Sequence, residues 1–141
     1  MTTPVPTGTR QATVDLPPVS DSVPAARHVL ALFLRSWSAE SVCEHAVLLV
    51  SELVTNVVRH VVGRAALTVE VTLTDALLHV GVVDTSATPP TRRVRTSAGG
   101  HGMWLVAATA HRWGSEHHDH GKRVWFELRR DRRPPEDHRA G

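Results

Sequence analysis

Residues 51–60 read Ser-Glu-Leu-Val-Thr-Asn-Val-Val-Arg-His and combine a helical pattern with three polar side chains of chemical interest. Glu52, Asn56 and His60 are spaced i, i+4 and i+8, so a helix would place them along one stripe. An apolar stripe runs beside them at Ala46, Leu49, Val50, Leu53 and Val57. The stretch therefore predicts an amphipathic helix with a buried face and a polar edge.

Two helices are predicted in the first half of the chain. The helix that contains residues 51–60 should begin at a capping serine, Ser38 or Ser41, and end near Val62. Before it, residues 23–37 repeat apolar side chains at helical spacing, and the polar residues 20–22 offer N-cap chemistry. The two segments are close enough in sequence to form neighbouring helices.

Strands are predicted on both sides of these helices, because apolar and polar residues alternate in five segments. They are residues 11–16, 66–74, 77–84, 112–117 and 123–128. Residues 85–100, rich in proline, arginine and glycine, form a long connection, and connections of this length are commonly functional. A short helix at Gly102–His111 follows. This order predicts an α+β two-layer sandwich, in which about three helices cover one face of a mixed, mostly antiparallel sheet.

Length and composition describe one globular domain with short unstructured ends. The chain has 141 residues, of which 41% are hydrophobic and 21% charged. We predict a disordered arm at residues 1–10 and an arginine-rich disordered tail at residues 129–141, since neither has apolar periodicity. Uninterrupted apolar runs such as 46–50 fall short of the ~20 residues that a membrane span needs. With no signal-like segment at the start, we expect a cytoplasmic protein without membrane contact.

Three segments carry residues suited to chemistry, and each also has an ordinary structural interpretation. Glu52 and Asn56 could hold a hard cation, and Glu52 could act as a general base, but a solvent-facing polar stripe is the more common case. Asp84 ends an apolar strand, where it could accept a hydrogen bond from a ligand or form a turn. The glycines of residues 99–102 precede a helix and could admit phosphate or simply start that helix.

Taken together and in this order, the segments resemble the GHKL (Bergerat-fold) ATPases, and within them the small anti-sigma-factor serine kinases of the actinobacterial branch. The resemblance runs from about Ala12 to Leu128. Four segments carry it: the N box at residues 52–60, the G1 acid Asp84, the G2 box Gly-His-Gly-Met-Trp-Leu-Val at residues 100–106, and a terminal hairpin at residues 112–128.

The resemblance implies a role for each matching residue. Glu52 would be the catalytic general base, Asn56 would ligate Mg²⁺, and Asp84 would accept a hydrogen bond from the adenine amino group. Residues 85–99 would form a lid over ATP. Further contacts with the nucleotide would come from Gly100, His101, Gly102, Met103 and Arg95.

The resemblance also implies a function. The chain would bind ATP and Mg²⁺, sequester a sigma factor, phosphorylate an anti-anti-sigma protein on serine, and form a homodimer. It departs from the family pattern in three places, since residues 85–90 contain no glycine, Ala98 replaces an arginine of some kinases, and Arg123 replaces a threonine. A catalytically silent, ATP-binding switch that acts by protein binding alone therefore stays an alternative. Nucleic-acid binding is disfavoured, because the basic excess of the chain (net charge +2) falls on the tail.

Overall fold

Five strands and the helices between them form one α+β unit. The computed structural model describes residues 8–60, 66–84, 105–118 and 121–130. In chain order the elements are β1 (Arg10–Leu16), α1 (Ser22–Ser36), a 3₁₀ turn (Glu40–Val42), α2 (Cys43–His60), β2 (Leu67–Leu73), β3 (Leu77–Asp84), the helical residues 105–109, β4 (Arg112–His118) and β5 (Gly121–Arg129).

The strands form one open sheet in the order β1-β2-β3-β5-β4. Each neighbouring pair is antiparallel. The predicted two-layer sandwich is confirmed, whereas the prediction of a mixed sheet is wrong for the described strands. The hairpins β2–β3 and β4–β5 fix two antiparallel pairs, and β5 then lies antiparallel to β3 in the middle of the sheet.

The sheet has one apolar face, and the helices cover it. Strand β2 shows the alternation most clearly, because Leu67, Val69, Val71 and Leu73 are buried while the residues between them are half-buried. Successive side chains of a strand point to opposite faces, so period-two burial marks the core side. The core side continues on β3 and β5 through Leu78, Val80, Val82, Val124, Phe126 and Leu128.

Helix α2 packs against β3 and β5, and α1 packs against α2 and β1. The predicted apolar stripe of α2 is confirmed, since Ala46, Leu49, Val50, Leu53 and Val57 are all buried. Burial of a leucine or valine side chain contributes about 1.5–3 kcal/mol relative to exposure. This stripe is therefore the main reason that residues 43–60 form a helix against the sheet.

The predicted helix starts are wrong in their details. Helix α2 begins at Cys43, after a 3₁₀ turn, and not at a capping Ser38 or Ser41. Helix α1 has Asp21 at its N-cap, but that side chain makes no capping hydrogen bond. Instead, the Ser22 hydroxyl donates to the carbonyl of Pro17 and ties the helix to the preceding turn. The predicted end of α2 near Val62 lies outside the described residues.

Helix α2 also meets the length and composition of a membrane span. The segment Glu40–Arg59 has 20 residues and a mean hydropathy of 1.4, although its uninterrupted apolar runs are short. The core helix of a soluble domain passes the same test. Here 39% of the segment is buried, including Leu49, Val50 and Leu53, whereas Leu48 is exposed.

The opposite face of the sheet is polar and held by ion pairs. Arg123 Nε lies 3.1 Å from Glu70 Oε1, and its Nη1 lies 2.8 Å from Glu116 Oε2. These hydrogen bonds raise the pKa of Arg123, most strongly through Glu70. Glu127 likewise contacts His79 and Arg112, each at 3.1 Å. A groove of about 550 Å³ on this face is lined by these side chains, whose charges are paired with one another.

Both ends of the sheet extend slightly past the predicted domain limits. Strand β1 begins at Arg10, and β5 continues to Arg129. Arg130 also has a defined place, because its Nη1 donates to the carbonyl of Thr74 at 2.9 Å. The remaining predicted arm and tail, residues 1–7 and 131–141, lie outside the described residues.

Candidate functional site

Asp84 ends the central strand β3 on the side of the sheet that faces the helices. The alternation of β3 places Asp84 in phase with the buried Val80 and Val82. Its side chain is 3% exposed, and it is the one buried charged residue among those described. Burying a carboxylate is costly unless polar groups compensate it, and Asp84 does take part in a polar or electrostatic interaction. A buried hydrogen-bond acceptor at the end of a strand is well placed to bind a donor group of a ligand.

The polar edge of α2 borders the same interface. Glu52 and Asn56 are both half-buried and lie one helical turn apart. Each is followed by a buried residue of the apolar stripe, Leu53 and Val57 respectively. Glu52 and Asn56 therefore lie between the buried stripe of α2 and its exposed residues. His60 ends the helix, and its side chain is outside the described part of the structure.

The elements that carry the two halves of the candidate site are in contact, because α2 packs directly on β3 and β5. Glu52 and Asn56 therefore lie on a helix that packs against the strand ending at Asp84. The other predicted contacts, Arg95, Gly100, His101, Gly102 and Met103, lie outside the described residues, as does the predicted lid. Residues 105–109 are described and helical, and Val106 is buried. They lie within the helix predicted for Gly102–His111.

The described side chains of the candidate site offer single oxygen atoms to a cation or to a nucleotide. No group of three or more His, Cys, Asp or Glu side chains converges anywhere in the described ranges. Mg²⁺ commonly keeps several waters and binds one or two protein oxygens together with substrate phosphates. Asn56 offers one such oxygen at the helix edge, while the buried carboxylate of Asp84 offers an acceptor for an amino group.

Two residues of the terminal hairpin face opposite sides of the sheet. Arg123 points away from the helices toward Glu70 and Glu116, so the departure from the family pattern at this position lies on the far face from Asp84. Lys122 stands directly across from Asp84 in the register of β3 and β5. Sequence reasoning did not select Lys122 as a site residue, although one signal was present, because it is the only lysine of the chain.

Comparison with known proteins agrees with this geometry. A family model described as a histidine kinase-like ATPase domain matches residues 16–128, from the last residue of β1 almost to the end of β5. A search of curated proteins gives no match. The matched span includes Glu52, Asn56, Asp84 and the glycine-rich segment at 99–102. The chain therefore belongs to the histidine kinase-like ATPase (GHKL) family, whose domains bind ATP.

Proposed function

We propose that the chain is an ATP-dependent protein serine kinase that regulates transcription as an anti-sigma factor. It would bind a sigma factor and phosphorylate an anti-anti-sigma protein on serine. The observation that supports the proposal is the position of Glu52, which is half-buried on α2 and one turn before Asn56. An incoming hydroxyl can reach a half-buried carboxylate, whereas a fully buried one would be closed to a protein substrate.

Each described site residue has one task in this proposal. Asp84 accepts a hydrogen bond from the amino group of adenine, and Asn56 supplies an oxygen to Mg²⁺. Bound Mg-ATP supplies the phosphoryl group. Glu52 accepts the proton of the serine hydroxyl of the protein substrate as that oxygen attacks the γ-phosphorus, while the bond from this phosphorus to the β–γ bridging oxygen breaks and ADP leaves. The protein would act in the cytoplasm, where sigma factors work, and the family resemblance supports a homodimer.

A silent switch is the second candidate, and the sequence of the predicted lid favours it. Residues 85–90 lack the glycines usual in the broad family, and Ala98 stands where some kinases have arginine. A cation near the γ-phosphate stabilises the charge of phosphoryl transfer. A chain that lacks this cation can still bind ATP. Its affinity for a partner protein can also still differ between the nucleotide-bound and nucleotide-free states.

One experiment separates the two candidates. The full chain is purified from its native cell with its bound proteins, which are then identified and incubated with labelled ATP and Mg²⁺. Phosphoserine on a co-purified partner is the expected result. ATP binding without any transfer would leave the silent switch in place of the kinase. Absence of ATP binding to the isolated, folded chain would contradict both candidates.

The change Asn56→Ala should weaken Mg-ATP more than metal-free ATP. The alanine removes the oxygen that the protein offers to Mg²⁺, which must then take a further water in its place. We expect a loss of about tenfold in affinity with Mg²⁺ and a smaller loss in EDTA, both measured by isothermal titration calorimetry. Thr55→Ala, at the neighbouring half-buried position of α2, is the matched control. Equal losses with and without Mg²⁺ would argue against Asn56 as a ligand.

The change Asp84→Asn should reduce ATP affinity by about 10–100-fold, because hydrogen bonds to charged groups contribute about 1.5–3 kcal/mol. An amide can donate as well as accept, so the preference for ATP over GTP should also fall. Binding of both nucleotides is measured by calorimetry on folded protein. The control is Asp15→Asn, an exposed aspartate on β1 that accepts from Thr68 at 2.7 Å. Unchanged ATP affinity in the Asp84 variant would remove this residue from the site.

A further inference from the structure

Lys122 lies at the start of β5, directly across from the buried Asp84. The sequence has 16 basic residues, and Lys122 is the single lysine among them. It lies in the second position of β5, and its Cα is paired with that of Asp84 in the antiparallel register. Directly opposed residues of two strands project from the same face, with Cβ atoms about 4.5–5.5 Å apart. The only lysine and the only buried carboxylate among described residues are therefore cross-strand neighbours.

The face on which Lys122 projects is the one that the helices cover. Along β5, Val124, Phe126 and Leu128 are buried and follow Lys122 at period two. Arg123, one residue away, projects to the other face, where it is bound by Glu70 and Glu116. Lys122 is itself half-buried. Its side chain therefore projects on the same side of the sheet as Asp84, the side on which α2 packs.

The chemical types of the two residues suit each other. A carboxylate that is 3% exposed carries a large desolvation cost unless an opposite charge or hydrogen bonds offset it. A lysine is a compact point charge on a flexible stem with three donors, so it can approach one carboxylate oxygen and leave the other open. The ion pairs that we describe on the polar face use arginine for Glu70, Glu116 and one oxygen of Glu127.

We propose that Lys122 belongs to the ATP site as the positioning residue of Asp84. Its ammonium holds one oxygen of the Asp84 carboxylate, so that the other oxygen stays an ionised acceptor directed at the amino group of the base. The pair, rather than the acid alone, then discriminates adenine from guanine. This inference rests on ATP binding by the family domain and not on phosphoryl transfer.

The single lysine makes a direct test possible in the full chain. Apart from the N-terminal amine, Lys122 is the only site for an amine-reactive acylating reagent, so peptide mass mapping reports its labelling rate alone. Nucleotide at ten times its dissociation constant should slow the labelling about tenfold if the bound state is protected. GTP at the same concentration should protect little. An unchanged labelling rate in the presence of saturating Mg-ATP would overturn the proposal.

The labelling experiment tests whether Lys122 lies in the ATP site. Substitutions test whether it acts through Asp84. Lys122→Met should weaken ATP binding about tenfold, while Lys122→Arg should restore most of the loss because it returns a cation. In the Asp84→Asn background, Lys122→Met should cost little more, since its effect acts through the carboxylate. Arg123→Met removes the same charge one residue along on the opposite face and should leave ATP affinity unchanged. Thermal unfolding confirms that each variant is folded.

The outcomes distinguish this inference from the proposed function. A wild-type chain that binds ATP, with Lys122 unprotected and Lys122→Met binding normally, would overturn the role of Lys122 and leave the kinase proposal intact. Additive losses from Asp84→Asn and Lys122→Met would contradict the positioning role. A wild-type chain that binds ATP and protects Lys122 but transfers no phosphate would support the inference and contradict the kinase.

Discussion

Replacing Phe126 by alanine is expected to lower the free energy of unfolding by about 3–5 kcal/mol, as in other buried phenylalanine sites. Phe126 is fully buried on the core side of β5. Its strand lies between β3 and β4, and α2 packs on the same strand. The aromatic ring therefore lies in the core between the sheet and the helix layer, where its loss leaves a cavity.

Urea denaturation followed by circular dichroism measures this loss. Domains of this kind have about 5–15 kcal/mol of stability in total, so the variant should be markedly closer to unfolding at room temperature. Phe126→Leu is the matched control, because it keeps most of the buried volume and should cost much less. A loss below about 1 kcal/mol for Phe126→Ala would contradict the packing described for this residue.

The secondary structure could be predicted because burial leaves a local periodic record. The stripe of α2 from Ala46 to Val57 and the alternation of β2 each repeat a buried face that the structure confirms. Helix starts were less predictable, since several polar residues compete for each cap. At α1 the Ser22 hydroxyl donates a hydrogen bond to the carbonyl of Pro17. This contact depends on the turn before the helix, which the apolar periodicity of the helix does not predict.

Strand order and cross-strand pairing depend on long-range register, which no local pattern records. The insertion of β5 between β3 and β4 pairs Asp84 with Lys122. The alternation of Val124, Phe126 and Leu128 indicates that Lys122 and Arg123 project from opposite faces, but it does not show which residue of another strand lies opposite Lys122. Glu52, Asn56 and Asp84 were predicted as site residues through the resemblance to the family, because each taken alone also has an ordinary structural interpretation.

Glu52→Gln is expected to reduce phosphoryl transfer to a co-purified serine-bearing partner by about 10²–10⁴-fold, the usual contribution of a positioned general base. Glutamine keeps the size of the side chain and its ability to hydrogen-bond, but it cannot take the proton of the attacking hydroxyl. Glu52 is half-buried on α2, so the change should leave folding close to unchanged. ATP affinity and partner affinity should survive, and the loss should appear in kcat rather than in KM.

Single-turnover transfer from labelled Mg-ATP to the purified partner measures the effect without the influence of product release. Glu44→Gln, an exposed glutamate in the first turn of the same helix, makes the same change in charge at a distance from Asn56 and should transfer at the wild-type rate. Equal rates for wild type and the Glu52 variant would assign the proton to another group. The proposed nucleotide contacts are those of Asp84 and Asn56 and do not involve this proton. A variant that binds ATP normally and transfers nothing would therefore place Glu52 in the chemical step itself.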